Sequence, residues 1–122
     1  MSAENQIDYV EIPVTDLKRA RDFFSSLFGW SFQDWGDDYM SFNDGRIDGG
    51  FRRSTEPAVS TGVLLIFYSE DLERDLDRVK ALGADISQEI FAFPGGRRFH
   101  FIDPTGSEYA IWSPYLDENN GE

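Results

Sequence analysis

Two hydrophobic periods alternate along the chain. From Ile7 to Val14 the period is two: Val10, Ile12 and Val14 share one face of a strand, while Ile7, Tyr9, Glu11 and Pro13 share the other. The next apolar residues, Leu17, Ala20, Phe23, Phe24 and Leu27, recur near the helical period of about 3.6. Asp16 stands where an N-cap belongs and Gly29 where a helix stops. Strand-like runs follow at Ser31 to Trp35, Tyr39 to Asn43 and Ile47 to Arg53, with turn signals at Gly36-Asp37-Asp38 and Asn43-Asp44-Gly45. The first half therefore predicts βαβββ.

The second half repeats that order. Val14-Thr15-Asp16-Leu17-Lys18-Arg19 has a counterpart in Ser69-Glu70-Asp71-Leu72-Glu73-Arg74, displaced by 55 residues. Asp71 caps a second amphipathic helix carrying Leu72, Leu76, Val79 and Leu82, and Gly83 stops it. Strands are predicted at Val63 to Tyr68, Asp85 to Ile90, Arg97 to Ile102 and Tyr109 to Ser113. The chain divides into a first module at 6–53, a linker at 54–62, a second module at 63–114 and an acidic tail at 115–122. Each helix covers one face of its sheet, so the other face must curl around something. Glu11 is a carboxylate on that uncovered face.

Composition narrows the function classes. The 122 residues, at 14.0 kDa, form one domain, 40% hydrophobic and 28% charged. No apolar run approaches the roughly 20 residues of a membrane span. The formal net charge of -12 and pI near 4.3 repel phosphate backbones and anionic lipid, so neither nucleic acid nor membrane is an expected partner. Without cysteine there are no disulfides, thiolate metal sites or Cys nucleophile. The opening residues lack the basic and apolar regions of a signal peptide, and the expected location is the cytoplasm. Gly95-Gly96 lacks the spacing and the Lys-Ser/Thr ending of a phosphate loop. The unusual figure is the aromatic content of 16%, with 11 Phe, 5 Tyr and 3 Trp.

The repeat, the strand order and three phrases together resemble the vicinal oxygen chelate superfamily of glyoxalases, bleomycin resistance proteins and extradiol dioxygenases. The phrases are Val10-Glu11-Ile12-Pro13-Val14-Thr15-Asp16-Leu17, Phe23-Phe24 leading to Leu27-Phe28-Gly29-Trp30, and Asp103-Pro104-Thr105-Gly106 before the last strand. The resemblance covers roughly residues 6–114. It implies an α+β fold in which two βαβββ modules form an open, strongly curved, eight-stranded barrel-like sheet with a central cavity, commonly as a homodimer. Glyoxalase-like relatives hold a divalent metal through His, Gln or Glu on the first and last strands of the modules. Carried onto this chain, those positions fall at Tyr9, at about Leu64, at Ala110 and within 47–51, where Asp48 is the one possible ligand. The usual metal set is missing, so no metal and no cofactor are expected, and metal-dependent lyase or dioxygenase chemistry loses its basis.

Six residues remain as candidates. A carboxylate withdrawn from water is biased toward its protonated form, which suits Glu11 to general acid or base chemistry; alternatively it is structural, paired with Arg52, Arg53, Arg97 or Arg98. His100 alternates with Phe99 and Phe101, so either the imidazole or the two rings face the cavity; facing inward, it can donate to a ligand or exchange protons with Glu11. Tyr9, Phe51, Tyr68 and Trp112 are assigned to ligand binding on the inner face, with core packing as the alternative use of such rings. Gly49-Gly50 marks a strand bend, or failing that a close approach of backbone to a ligand. The expected function is metal-independent binding of a small molecule, with Glu11-assisted proton transfer. Sequestration of a cationic drug or metabolite without turnover, resembling bleomycin resistance proteins, is the alternative. A regulatory domain whose interior is filled by its own side chains is a third.

Overall fold

Asp16 and Asp71 begin the two helices in the same way. Each has extended backbone, and its side chain accepts a hydrogen bond from the amide three residues on, Arg19 and Arg74, at 3.0 Å. The helices they open are α1, Leu17–Phe28, and α2, Leu72–Ala81. Gly29 closes α1 in the left-handed conformation (φ 72°), and its amide bonds back to the carbonyls of Phe24 and Ser25. The computed structural model describes residues 2–56, 62–104 and 106–115. Most of the linker expected at 54–62, and the acidic tail after residue 115, lie outside the described residues.

The strands are β1 Ile7–Val14, β2 Ser31–Asp34, β3 Tyr39–Asn43, β4 Asp48–Arg53, β5 Leu64–Tyr68, β6 Asp85–Phe93, β7 Gly96–Ile102 and β8 Glu108–Pro114. Among the described residues two compact units contain them, one within 8–65 and the other from Ile66 to Tyr115 together with residues 2–7. The repeat seen in the sequence is reproduced in the pairing. Within the first unit β1 runs parallel to β4, and β4, β3 and β2 follow antiparallel. Within the second, β5 runs parallel to β8, and β8, β7 and β6 follow antiparallel. The fold is α+β, built from two βαβββ modules.

Each helix seals one face of its sheet. From α1 Leu17 meets Met40, Phe42 and Phe51 of the sheet, with Ile12, Val14, Phe24, Trp30 and Phe32 packed against them. Trp30 stacks between Phe24 and Phe42, at 4.5 and 4.7 Å between centroids. From α2 Leu72 meets Phe99 and Ile111 of the sheet, flanked by Phe67, Leu76, Val79, Ile86, Ile90 and Phe101. Most of the phenylalanine excess is therefore helix-side core.

Phe51 belongs to that core, which corrects its assignment to the inner face. It is 1% exposed, pairs in register with Ile12 and lies 5.0 Å from the Phe42 ring. Alternation along β4 sends Gly49, Phe51 and Arg53 to the helix side and Gly50 and Arg52 to the other. Two glycines in succession carry no side chain to reveal that phase. The sequence also ends β6 three residues early. Register shifts between Ile86 and Gln88, and between Gln88 and Phe91, break the alternation, yet pairing with β7 continues to Phe93.

The residues before β1 complete the second unit. The Asn5 amide donates to the Tyr68 carbonyl at 2.7 Å, and the Asn5 side chain donates to Asp75 on α2 at 3.1 Å. Asp75, 2% exposed, also receives Arg74 and Arg78, while Arg74 reaches back to Glu4. A buried carboxylate with this many donors ties the N-terminal segment to α2.

Candidate functional site

On the first sheet, the face turned away from α1 is polar. The β3–β4 turn fixes its register: Asn43 accepts from the Gly45 amide at 2.7 Å, and Asp44 accepts from the amides of Arg46 and Ile47 at 2.8 Å. That turn sets Tyr39 opposite Arg52, and Ser41 opposite Gly50. On the other side of β4, Glu11 stands opposite Gly50. Tyr9, Glu11, Tyr39, Ser41, Gly50 and Arg52 consequently share one face across three strands.

Glu11 is 4% exposed, and its carboxylate lies 3.5 Å from Nε of Arg52 and in hydrogen-bonding contact with the Tyr39 hydroxyl. Of the four arginines considered for it, Arg53 pairs instead with Asp38 and Arg97 with Glu73. The Tyr39 hydroxyl is 2.9 Å from that of Tyr9. Burial, then the charge of Glu11 and the neighbouring Tyr9, push the Tyr39 phenol far above its ordinary range, so Tyr39 remains a neutral hydroxyl. A hydroxyl has one proton to give; when Tyr39 donates it to the carboxylate, its own oxygen accepts from Tyr9.

Gly50 makes that convergence possible. A Cβ there would overlap the Tyr39 hydroxyl and come within 2.6 Å of the Tyr9 hydroxyl. A Cβ at Gly49 would strike the Phe42 ring and the Val10 carbonyl. Close approach, which the sequence reading ranked below a bend, accounts for both glycines, and what approaches is the protein's own side chains.

The face of the second sheet turned away from α2 carries His100, Arg98, Tyr68 and Trp112. Phe99 and Phe101 pack beneath α2, so alternation turns the imidazole away from that helix, and His100 is 5% exposed. Its Nδ1 lies 3.1 Å from Oε2 of Glu108, which also accepts from Oγ of Ser87 at 3.0 Å. A carboxylate at Nδ1 selects the tautomer that carries its proton there. The Arg98 guanidinium sits 5.5 Å and 5.6 Å from the Phe91 and Phe93 ring centroids. Trp112, opposite Tyr68, meets that ring edge-on at 5.9 Å.

The positions carried over from metal-binding relatives do not fit a metal. Leu64 and Ala110 offer no donor, Asp48 accepts a hydrogen bond from Asn43 at 2.7 Å, and the Tyr9 hydroxyl is engaged with Tyr39. Among the described residues no group of three or more His, Asp or Glu side chains could hold a metal ion.

The structure thus brings Tyr9 and Glu11 together through Tyr39, and sets His100, Tyr68 and Trp112 on one face of the second sheet. Phe51 joins neither group. Sequence reasoning missed Tyr39 and Glu108, and singled out Gly50 with a bend ranked ahead of the close approach it permits. The signal for Tyr39 was present: Met40 and Phe42 mark the buried phase of β3, which places Tyr39 and Ser41 on the Glu11 side. Glu108 gave none, because it opens a strand beside a turn, where a charge is ordinary.

The model of the Glyoxalase/Bleomycin resistance protein/Dioxygenase superfamily matches residues 6–111. A glyoxylase-like domain-containing protein of Didymella fabae is 30% identical over 91% of this chain and 95% of its own length. The anthracycline biosynthesis protein DauV of Streptomyces sp. strain C5 is 26% identical over 86% of this chain, and the match spans 40% of that longer protein. Among solved structures, the hypothetical protein BH1468 from Bacillus halodurans C-125 superposes with a TM-score of 0.73 at 15% identity, covering 93% of this chain and 96% of that one. The repeated βαβββ module, its pairing order and a family model spanning nearly the whole chain agree: this protein belongs to the Glyoxalase/Bleomycin resistance protein/Dioxygenase superfamily.

Proposed function

We propose that the protein binds a small organic molecule over the polar face of its first sheet, without a metal, and that Glu11 takes up or returns a proton there. The observation that carries this reading is a buried carboxylate, Glu11, turned away from the helix-side core, paired with Arg52 and in contact with Tyr39, whose hydroxyl meets that of Tyr9. A fold has no packing need for a 4% exposed carboxylate on such a face, and burying one costs free energy unless it is well paired. Tyr9, Tyr39 and Trp35 add flat surface with polar edges, Trp35 donating to Ser41 at 2.9 Å. The missing metal donors support proton transfer carried by side chains alone.

His100, held by Glu108, is the acid or base assigned to the second sheet, with Tyr68 and Trp112 as its ligand-facing rings. A homodimer belongs to the same proposal. Phe23, Leu27 and Phe28, all more than half exposed on α1, supply apolar surface for it.

Charge favours a second reading, sequestration without turnover. A net charge of -12 enriches cations near the molecule, which suits a cationic drug or metabolite. The name of the Streptomyces relative, in anthracycline biosynthesis, supports a small organic ligand under either reading. Glu11→Gln separates them. If Glu11 transfers protons, the variant keeps its affinity for a converted ligand within a few-fold and loses about a hundredfold or more in turnover. Binding lost together with the charge, and no turnover in the native chain, selects sequestration.

A further inference from the structure

We propose that Tyr9 and Tyr39 form a two-hydroxyl relay that carries a proton between a bound ligand and the buried Glu11, and that the relay selects ligands bearing an acidic X–H group. The proposal rests on the small-molecule reading above and deepens it. Three observations converge. Glu11 is nearly sealed from solvent, so a ligand on the face reaches it through another group. Tyr39 contacts Glu11 on one side and the Tyr9 hydroxyl, at 2.9 Å, on the other. Gly50 lies opposite Glu11 and leaves vacant the space in which the two hydroxyls meet, space that any side chain would fill.

The step balances without a cofactor. The ligand X–H bond breaks and its proton goes to the Tyr9 oxygen; the Tyr9 proton passes to the Tyr39 oxygen, and the Tyr39 proton to the Glu11 carboxylate. The ligand keeps the electron pair as X⁻, both tyrosines end neutral, and Glu11 ends protonated. Reversal returns a proton to the ligand. Tyr39 resists ionisation through burial and the charge of Glu11, so it passes protons in a concerted hop and does not hold a phenolate. Tyr9 touches the ligand. Tyr39 is a positioning residue that acts through it, and Glu11 is the terminal acceptor.

The probe is para-nitrophenol, a phenolic O–H whose colour reports its ionisation, added to the full chain at a pH where the free probe is protonated. Affinity is read from quenching of tryptophan fluorescence and ionisation from absorbance. Native protein binds the probe and raises its ionised-to-neutral ratio above that of the free probe. In Glu11→Gln, Tyr39→Phe and Tyr9→Phe the bound probe's ionised-to-neutral ratio falls by about tenfold or more, the worth of a charge-assisted hydrogen bond, and total affinity falls by no more than that same factor. Gly50→Ala separates the hydroxyls without removing either, and produces the same loss. Melting curves confirm that each variant is folded. If either phenylalanine variant ionises the probe as native protein does, the relay is overturned while the binding reading stands. Absence of binding by native protein overturns both.

Discussion

Phe51→Ala removes a ring that is 1% exposed and in contact with Phe24, Phe32 and Phe42, so it should destabilise the chain by about 3–5 kcal/mol, measured by urea unfolding. A Phe51 lining a ligand site would instead change affinity at little cost in stability. Tyr39 makes a prediction about pH. Its folded-state pKa is raised above its ordinary value of 10.0, so above that pH the native state holds a proton the unfolded chain has lost. The Tyr39 contribution is complete below pH 10.0 and is lost as pH rises toward the folded-state pKa. Tyr39→Phe should flatten the alkaline limb of the stability curve; an unchanged limb would contradict a buried, neutral Tyr39. Among single residues, Glu11 and Tyr9 were legible because β1 alternates without interruption. Phe51 was not, because Gly49-Gly50 erases the phase at the point where it decides which way the ring faces.

Helices and strands were legible where chemistry and period agreed. Asp16 and Asp71 each supply a cap at the start of a run of helical period, and both helices begin as expected. The limits of β6 were not legible, because bulges hide a strand from a period-two reading. Nor was the attachment of the N-terminal segment to α2, since Glu4, Asn5, Arg74, Asp75 and Arg78 are ordinary surface types until the fold brings them together. Burial alone would raise the Asp75 carboxyl, but hydrogen bonds from Ser69, Arg74 and Asn5 outweigh it and hold the group below its ordinary value of 3.8. A depressed carboxylate contributes its stability in full above that value and loses it as pH falls through the folded-state pKa. The segment should therefore come free of α2 in acid, at a pH below the ordinary Asp value of 3.8. Amide exchange at Asn5 and Tyr68, followed by NMR, checks it: protection should fall together at both in acid, and Asp75→Asn should weaken it at neutral pH.

At the scale of the molecule, the duplicated module was the most legible feature, because the motif around Asp16 recurs around Asp71 and each copy opens the same sequence of elements. The aromatic excess has two uses that composition could not separate. Most phenylalanines seal the sheets against their helices, while Tyr9, Tyr39 and Trp35 lie on the opposite face beside polar partners, and Tyr68 and Trp112 meet edge-on. Among the described residues no helix is long and apolar enough to cross a membrane. The central claim is that a molecule with this donor set binds a small organic ligand without a metal. Its most direct test is a screen of melting temperature against a small-molecule library, run once in chelator and once with divalent metals, since a ligand that binds only the native state raises apparent stability. The account predicts compounds that raise the melting temperature equally in both conditions, with the shift reduced in Tyr9→Phe and Glu11→Gln. Shifts that appear only with metal, or no shift across the library, would contradict it.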